Sequence, residues 1–247
     1  MCDLEVTKRV IDLNFTLRTQ FTFYQDRTID DKLRAALDTW LITPLPTLTN
    51  KGYTSIYCQL LDADPCKFVY ADVVKAFIMI MDLWQCEEGT VPGVAIILNL
   101  DRVSLGHIAK VNLNVAQQFF YFLQEAMFLR LKEFHFINAP SFIDKLMSMF
   151  KPFMKDEMLK ILKIHKVGSC TLQDYILNEA LPCASGGSNR DAISLADETW
   201  RKIQANKTFY EEELKKRVDE SKRPGGPKTL SSFFPGLENS FKNLEID

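Results

Sequence analysis

The sequence predicts an α/β fold with a mainly parallel sheet, because short apolar runs typical of strands alternate with longer segments of helical periodicity. Strands are expected at residues 53–61, 93–100 and 128–137. The middle run, GVAIILNL, is continuously apolar between Pro92 and Asp101, which is typical of a strand buried on both faces. Strands that alternate with helices along the chain need crossover connections, which favour parallel pairing.

Helical segments are expected before and between these strands. Residues 4–17 carry an approximate helical stripe that starts without a cap, as if inside a longer helical region, and residues 30–41 form a second short helix. Between the strands, residues 68–84 and 111–127 have apolar side chains at spacings of three and four. Residues 161–164 are expected to form a short strand or a helix end.

Composition turns polar after the segment LPCASGGSNR (181–190). An exposed, charged helix is expected over residues 192–218, then a flexible break, and the last residues read as an extended tail. The sequence therefore divides into three parts: a partial helical N-terminal domain (1–48), a central α/β domain (49–190), and a C-terminal helix with an extended tail (191–247).

Composition and charge exclude several classes of function. The formal net charge is −2 over 247 residues. Nucleic-acid binding is not expected, because affinity for the phosphate backbone needs concentrated positive charge. The six cysteines and three histidines show no spacing typical of metal ligands, so no metal site is expected. Scattered cysteines, a charged N-terminus and no apolar run of about 20 residues predict a cytoplasmic protein.

Motifs for catalysis are missing from the sequence. It contains neither GxGxxG nor GxxxxGK[ST], and no G-x-S-x-G follows a strand. His107 and His135 are possible general bases, but neither has a candidate nucleophile near it in the sequence. The sequence therefore predicts a protein that is not an enzyme and that needs no cofactor.

The most informative segment is INAPSFIDKLMSMFKPFM (137–154). Asn138, Ala139 and Pro140 are expected to make a turn, and Ser141 is expected to cap a helix. Eight apolar residues in thirteen positions exceed the single stripe that usually faces a core. They are Phe142, Ile143, Leu146, Met147, Met149, Phe150, Phe153 and Met154. Such a helix lies wholly inside the protein, or serves two apolar environments in turn as the lid of a lipid site does.

The preceding helical segment offers a matching apolar face. Phe119, Phe122 and Leu123 follow one another at helical spacing and share a side of that helix. If this face meets the lid segment, the two helices line an apolar cavity. Periodicity by itself favours the simpler arrangement, in which the helices pack directly against each other without a void.

The chain resembles the CRAL-TRIO (Sec14-like) lipid-transfer family, in particular its branch of tocopherol and retinaldehyde carriers. The resemblance rests on GVAIILNLD (93–101), on LRLKEFHFINAPSFIDKLMSMFKPFM (129–154) and on LPCASGG (181–187). It covers nearly the whole chain. Asn-x-Pro, the lid helix and Lys-Pro-Phe follow one another in the family's order. Family members carry a multi-helix domain before the lipid-binding domain, and most of the first half of that domain is not matched here.

The resemblance implies a cavity that is floored by the sheet and closed by a mobile helical gate, and so reverses the preference for a filled core. The implied wall residues are Phe119, Phe122, Leu123, Met127, Leu129 and Phe134. The implied inner face of the gate consists of Ile143, Leu146, Phe150 and Met154. The gate residues that would face a membrane are Phe142, Met147, Met149 and Phe153.

Some members of the family have basic residues that bind anionic lipid head groups, and the resemblance allows the corresponding positions of this chain to be compared. Arg130 and Lys132 match the basic pair on the strand before the gate. The positions expected after the gate are Glu157 and Ile161, which are not basic. Lys160 and Lys163 lie near them and are candidates to replace them.

Two hypotheses from different classes are consistent with the sequence. The first is a monomeric carrier that binds one tocopherol, retinoid, carotenoid or similar lipid in a gated cavity and exchanges it at a membrane surface with anionic lipids. The alternative is a Sec14-like scaffold, or a phosphoinositide-responsive interaction module, that carries no ligand. The volume of the cavity discriminates between them, because an interior filled by phenylalanine side chains favours the scaffold.

Overall fold

The computed structural model describes residues 3–234. The five strands of this part of the chain are β1 (Trp40–Pro44), β2 (Thr54–Leu60), β3 (Val94–Asn99), β4 (Leu131–Ala139) and β5 (Leu162–Lys166). The α-helices are α1 (Leu4–Gln20), α2 (Thr22–Gln25), α3 (Asp31–Thr39), α4 (Tyr70–Glu88), α5 (Leu105–Ala109), α6 (Leu113–Glu125), α7 (Ile143–Phe150), α8 (Asp156–Ile161), α9 (Ala192–Ala205), α10 (Lys207–Lys215) and α11 (Leu230–Phe233). No helix among the described residues is both long and apolar enough to cross a bilayer.

The five strands form one sheet in the order β1-β2-β3-β4-β5. β1 is antiparallel to β2, and the other three pairs are parallel. This confirms the predicted α/β class with a mainly parallel sheet. Helices α4 and α6 connect successive parallel strands, as such pairs require.

Strand β1 is the main difference from the predicted elements. The helix expected over residues 30–41 ends at Thr39, and the next five residues pair with β2 from Trp40 opposite Leu60 to Pro44 opposite Ile56. Aromatic and β-branched side chains favour this extended backbone. The expected domain boundary at residue 48 therefore falls between β1 and β2, two strands that are hydrogen-bonded to each other in one sheet.

Register places matching side chains in rows across the sheet. Ile42, Cys58, Leu98 and Phe136 lie opposite one another on four successive strands. The row before it contains Ile56, Ile96, Phe134 and Leu162. Since side chains alternate between the two faces of a strand, both rows point to the same side of the sheet. That side carries helices α4, α6 and α7.

A buried ionic network joins the N-terminal helices to the rest of the protein. Asp82 of α4 accepts from Arg18 of α1 at 2.7 Å and pairs with Arg27 at 2.7 Å. Arg18 also pairs with Glu213 of α10 at 2.7 Å. The side chain of Arg27 is fully buried. The Arg18 guanidinium therefore joins α1 to α4 through Asp82 and to α10 through Glu213.

Both ends of the chain differ from the expected elements. The Asp3 side chain accepts hydrogen bonds from the backbone N–H groups of Glu5 and Val6, so α1 is capped rather than uncapped. The single helix expected over residues 192–218 is divided into α9 and α10 at Asn206. The expected extended tail begins with α11, and Phe234 is buried against Phe21. The rest of that tail lies outside the described residues.

The face of the sheet turned away from α4 and α6 carries a buried chain of polar groups. His135 of β4 lies 3.0 Å from His165 of β5, atom Nδ1 to atom Nε2, and its Nε2 lies 3.4 Å from the Glu133 carboxylate. His165 Nδ1 is 2.6 Å from Thr171 Oγ1. Lys51 forms an ion pair with Glu133 at 2.8 Å. The side chains of Glu133, His135 and His165 are all buried.

We expect this chain of polar groups to make stability depend on pH. Burial lowers the pKa of His135 to about 4, with the Glu133 carboxylate opposing the shift and His165 reinforcing it. The unfolded chain then binds the proton more tightly between about pH 4 and 6.5, so acid favours unfolding. As the pH decreases from about 6.5 to about 4, the free energy of unfolding should fall by up to about 3 kcal/mol.

Urea denaturation followed by circular dichroism at several pH values measures this slope. The matched variant is His135→Gln, which keeps a polar side chain but does not titrate. Its stability should vary less steeply with pH than that of the wild type. Equal slopes for both proteins would show that His135 is not the group responsible.

Candidate functional site

An apolar cavity of about 140 Å³ lies between the sheet and the helices. Its floor comes from the two rows of strand side chains, namely Ile42, Cys58, Ile96, Leu98, Phe134 and Phe136. Leu98 stands at the centre of this floor, on the middle strand of the sheet, yet it is only partly buried. The surface of the wall is entirely apolar. Contact with such a wall favours an apolar molecule through the hydrophobic effect.

Four helices complete the wall. α4 contributes an apolar face at its N-terminal half, α5 a short turn, α6 one face and α7 two residues. The helical lining residues are Tyr70, Val73, Val74, Phe77, His107, Ile108, Phe119, Phe120, Leu123, Leu146 and Phe150. Phe119 packs edge-on against Phe77, and Phe120 packs against Phe150, with ring centroids 5.3 and 5.1 Å apart. Aromatic side chains therefore occupy much of the space beneath the helices.

Helix α7 closes the cavity with its apolar side only. Leu146 and Phe150 face inward, and the other apolar residues of the helix are buried or half-buried. Asp144, Lys145 and Ser148 are exposed and form the outer face. In this arrangement α7 is therefore an amphipathic cover, with its apolar residues directed at the protein.

Side-chain hydrogen bonds hold both ends of the α7 segment. Before it, Asn138 adopts a left-handed backbone conformation (φ 51°), and its side chain donates to Asn99 Oδ1 at 2.9 Å. After it, Gln124 of α6 donates to the Phe153 carbonyl at 2.9 Å and accepts from the Lys155 N–H at 2.7 Å. Between these two anchors, α7 packs mainly on α6.

The turn LPCASGG seals the end of the sheet next to this segment. Asn99, the last residue of β3, donates to Tyr57 Oη at 2.8 Å and to Ser185 Oγ at 3.2 Å. Gly187 lies so close to the carbonyl groups of Leu181 and Asn178 that no Cβ fits there. The turn therefore needs glycine at this position.

A second cavity of about 420 Å³ lies outside β1, between α4 and α9. Its lining is mixed, with Leu45, Leu83 and Trp84 beside charged groups. Two ion pairs stand at its rim, Lys202 with Glu87 and Arg190 with Glu198. The members of each pair balance each other's charge, and this cavity lacks the uniformly apolar wall of the first.

A sequence model of the CRAL/TRIO domain matches residues 41–187, which is more than half of the chain. The chain belongs to the CRAL/TRIO domain family. The match begins at Leu41, within β1, and ends at Gly187 of the sealing turn. The CRAL/TRIO domain thus includes nearly the whole sheet, the cavity floor and α7.

Several known proteins are similar in sequence to this CRAL/TRIO chain. An alpha-tocopherol transfer protein-like protein of Homo sapiens is 23% identical over 172 residues, which are 69% of this chain and 49% of that protein. Clavesin-2 of Mus musculus is 22% identical over 166 residues, covering 67% of this chain and 51% of its own. The chain thus spans about half the length of the curated relatives it matches. A solved structure, the crystal structure of Sfh5, covers 74% of this chain and 66% of its own at 12% identity, with a TM-score of 0.47.

Five of the predicted wall and gate residues meet at the cavity of the CRAL/TRIO domain. They are Phe119, Leu123, Phe134, Leu146 and Phe150. Their lipid contacts stay a prediction. The residues come from α6, β4 and α7, so the predicted meeting of the two helices takes place above the sheet.

Other predicted residues lie elsewhere. Phe122 is on the side of α6 that faces the N-terminal helices, where it packs on Tyr24 with ring centroids 5.2 Å apart. Met127 and Leu129 follow the end of α6 and do not line this cavity, nor do Ile143 and Met154. Helical spacing gives the side of a helix but not which neighbour covers it, so α6 divides its phenylalanines between two partners.

The gate residues expected to face a membrane are also placed differently. Met147 is buried, while Phe142, Met149 and Phe153 are half-buried against the core. α7 begins at Ile143 without a side-chain cap, so Ser141 is not the N-cap. The backbone turn lies at residues 141–142, after β4 has continued to Ala139.

The predicted basic residues are all exposed, but they do not share one side of the sheet. Lys132 is the extra residue of a bulge in β4, because Val94 pairs with Leu131 and Ala95 with Glu133. Lys163 lies opposite His135 and therefore points away from the cavity. Arg130 precedes β4, and Lys160 lies in α8.

Sequence reasoning missed most of the floor and the contribution of α4 and α5. The row from Ile42 to Phe136 depends on strand register, which no local pattern in the sequence gives. The apolar side of α4 was visible, since Val73, Val74 and Phe77 follow helical spacing. Only the position of α4 above the floor turns that side into a wall.

Proposed function

We propose that the protein is a carrier that binds one small hydrophobic lipid in the cavity of its CRAL/TRIO domain and exchanges it with membranes. The observation that carries this proposal is the entirely apolar wall, floored by the sheet and covered by α7. The names of the relatives, which include an alpha-tocopherol transfer protein-like protein, support the same class of cargo. A tocopherol, retinoid, carotenoid or similar lipid fits this class.

The cavity is small for a ligand site, so the proposal requires side chains and helix α7 to move when a lipid binds. Pockets that enclose drug-sized ligands usually measure about 300–1,000 Å³, and this cavity measures about 140 Å³. A lipid therefore enters only if side chains such as Phe119 and Phe150 turn aside and α7 moves outward. Outward movement also exposes the buried apolar side of α7, which a membrane surface can cover.

The remaining parts of the proposal concern the cellular compartment, the oligomeric state and the membrane surface. We place the carrier in the cytoplasm as a monomer, without a catalytic role. All five cysteines whose side chains are described carry free thiols, which supports a reducing compartment. The exposed residues Arg130, Lys132 and Lys160 supply weak attraction to anionic lipids at a membrane surface.

Native mass spectrometry of the purified protein tests the carrier proposal. We expect a bound lipid at a ratio of one per chain, and transfer of that lipid to added vesicles containing anionic lipid. If the protein is purified without a bound lipid, the binding of a panel of hydrophobic compounds is measured instead. Absence of a co-purified lipid, together with no binding from the panel, would overturn the proposal.

The small volume favours one other candidate, a scaffold whose interior is filled by aromatic side chains. Such a protein would bind a partner and carry no ligand, and this class includes a phosphoinositide-responsive interaction module. The two candidates differ in their response to cargo. Binding of a hydrophobic ligand raises the melting temperature of a carrier as the ligand concentration increases, and it leaves that of a scaffold unchanged.

A further inference from the structure

Two nitrogen donors belong to residues of the cavity wall and have no acceptor within the described part of the chain. They are Nε1 of Trp40 and Nε2 of His107. Trp40 is 7% exposed and His107 is 2% exposed. Buried polar groups almost always find a partner, so two orphans in one wall need an explanation.

Hydrogen bonding defines the state of the histidine. The backbone N–H of Ser104 donates to Nδ1 of His107 at 3.1 Å, so Nδ1 is an acceptor. In the neutral ring the proton then resides on Nε2. Burial lowers the pKa of His107, which keeps the ring neutral near neutral pH. Nε2–H is therefore a donor, as is the indole N–H of Trp40.

The two donors are at the same end of the cavity. The ring of Phe68 packs against both, with centroids 6.1 Å from the Trp40 ring and 5.5 Å from the His107 ring. Phe68 itself lines the cavity just before α4. Neither nitrogen contributes to the cavity surface, which is entirely apolar. Because Phe68 packs against both rings, its movement would open space beside both residues.

The presence of two unpaired hydrogen-bond donors restricts the chemical class of ligand that can bind there. A carbonyl oxygen has two lone pairs and accepts two hydrogen bonds. An ammonium group has only hydrogen-bond donors. It would leave its own donors and those of Trp40 and His107 unpaired, which strongly disfavours its binding. The rest of the wall offers no polar surface, so the ligand carries its polar atom at this end alone.

We propose that Trp40 and His107 recognise the carbonyl oxygen of an otherwise apolar ligand, such as a ketone, aldehyde or ester. This inference rests on the proposed carrier function and adds the chemical class of the cargo. Both residues act as specificity-determining donors, with Phe68 moving aside when the oxygen binds.

Acetophenone and α-methylstyrene are suitable probes, because they differ only by an oxygen in place of a CH₂ group. Their single ring suits a cavity of about 140 Å³, since an apolar cavity of about that size binds benzene. Titration followed by ¹H–¹⁵N NMR gives both dissociation constants and also reports the Trp40 Nε1–H resonance. We expect acetophenone to bind about tenfold more tightly and to shift that resonance downfield.

His107→Phe removes one donor and keeps the aromatic contact with Phe68. In this variant the preference for acetophenone should shrink at least about threefold, while the affinity for α-methylstyrene stays the same. Trp40→Phe should have a similar effect. If either variant fails to fold, the preference and the Trp40 resonance of the wild type still decide the question.

The outcomes separate this inference from the carrier proposal. Equal affinity for both probes in the wild type, with no shift of the Trp40 resonance, overturns carbonyl recognition and leaves the carrier proposal intact. Binding of neither probe, together with no lipid in native mass spectrometry, overturns both.

Discussion

Replacing Leu98 by Trp is expected to weaken the binding of a hydrophobic ligand by at least about hundredfold, or about 2.7 kcal/mol. Leu98 is central in the cavity floor, on the row that runs from Ile42 to Phe136. An indole at this position fills space that the ligand needs. The fold itself should survive, because overpacking usually costs about 1–3 kcal/mol. Titration with a fluorescent lipid analogue measures the dissociation constant, and circular dichroism checks the fold.

Leu98→Met is the matched control. Exchange between leucine and methionine keeps the volume and usually costs less than about 1.5 kcal/mol. This variant should bind the analogue within a few-fold of the wild type. If Leu98→Trp binds as tightly as Leu98→Met while remaining folded, the ligand does not occupy this cavity and the proposed site is wrong.

Asp82→Asn is expected to lower the free energy of unfolding by about 3–5 kcal/mol. The Asp82 carboxylate faces Arg18 and Arg27, both buried, and Asn is nearly isosteric but uncharged. The substitution therefore leaves two guanidinium groups in the interior with only Glu213 to balance them among the described residues. Urea denaturation monitored by circular dichroism gives the change directly.

The surface pair of Arg34 and Asp38 supplies the control. Its atoms are 2.8 Å apart, much like those around Asp82, but the Asp38 side chain is 55% exposed. Asp38→Asn should therefore change stability by no more than about 1 kcal/mol. Similar small losses for both variants would mean that the buried network does not hold the helices together.

Much of the fold could be predicted because its strands are locally distinctive. GVAIILNL is apolar throughout, and the structure confirms a strand there, β3 (Val94–Asn99). The alternation with helices was enough to predict a parallel sheet. β1 escaped prediction because its residues continue the apolar pattern of α3, and only pairing with β2 distinguishes strand from helix.

The candidate site was predictable in part. Leu146 and Phe150 follow helical spacing on α7, and both line the cavity. Phe122 has the same kind of spacing on α6, yet it packs on Tyr24 of the N-terminal helices. Spacing identifies an apolar side chain, whereas its partner depends on contacts between segments far apart in the sequence.

The polar features of the site were the least predictable. Trp40 and His107 are 67 positions apart in the chain, and no pattern in the sequence places them in the same cavity wall. His135 and His165 likewise meet only because β4 and β5 are paired. Such groups acquire their chemistry from burial and from neighbours on other elements.

The two anchors of α7 bear on kinetics rather than on affinity. Gln124 bonds to Phe153 and Lys155 at the end of the α7 segment, and Asn138 is fixed at its start. On the carrier proposal, these bonds break when α7 moves and form again afterwards, whether or not cargo is inside. They therefore raise the barrier to loading and to unloading by the same amount. The residence time of a lipid is then set by hydrogen bonds at the two ends of the α7 segment, from residues that do not line the cavity, so it can change through Gln124 without any change in what is bound.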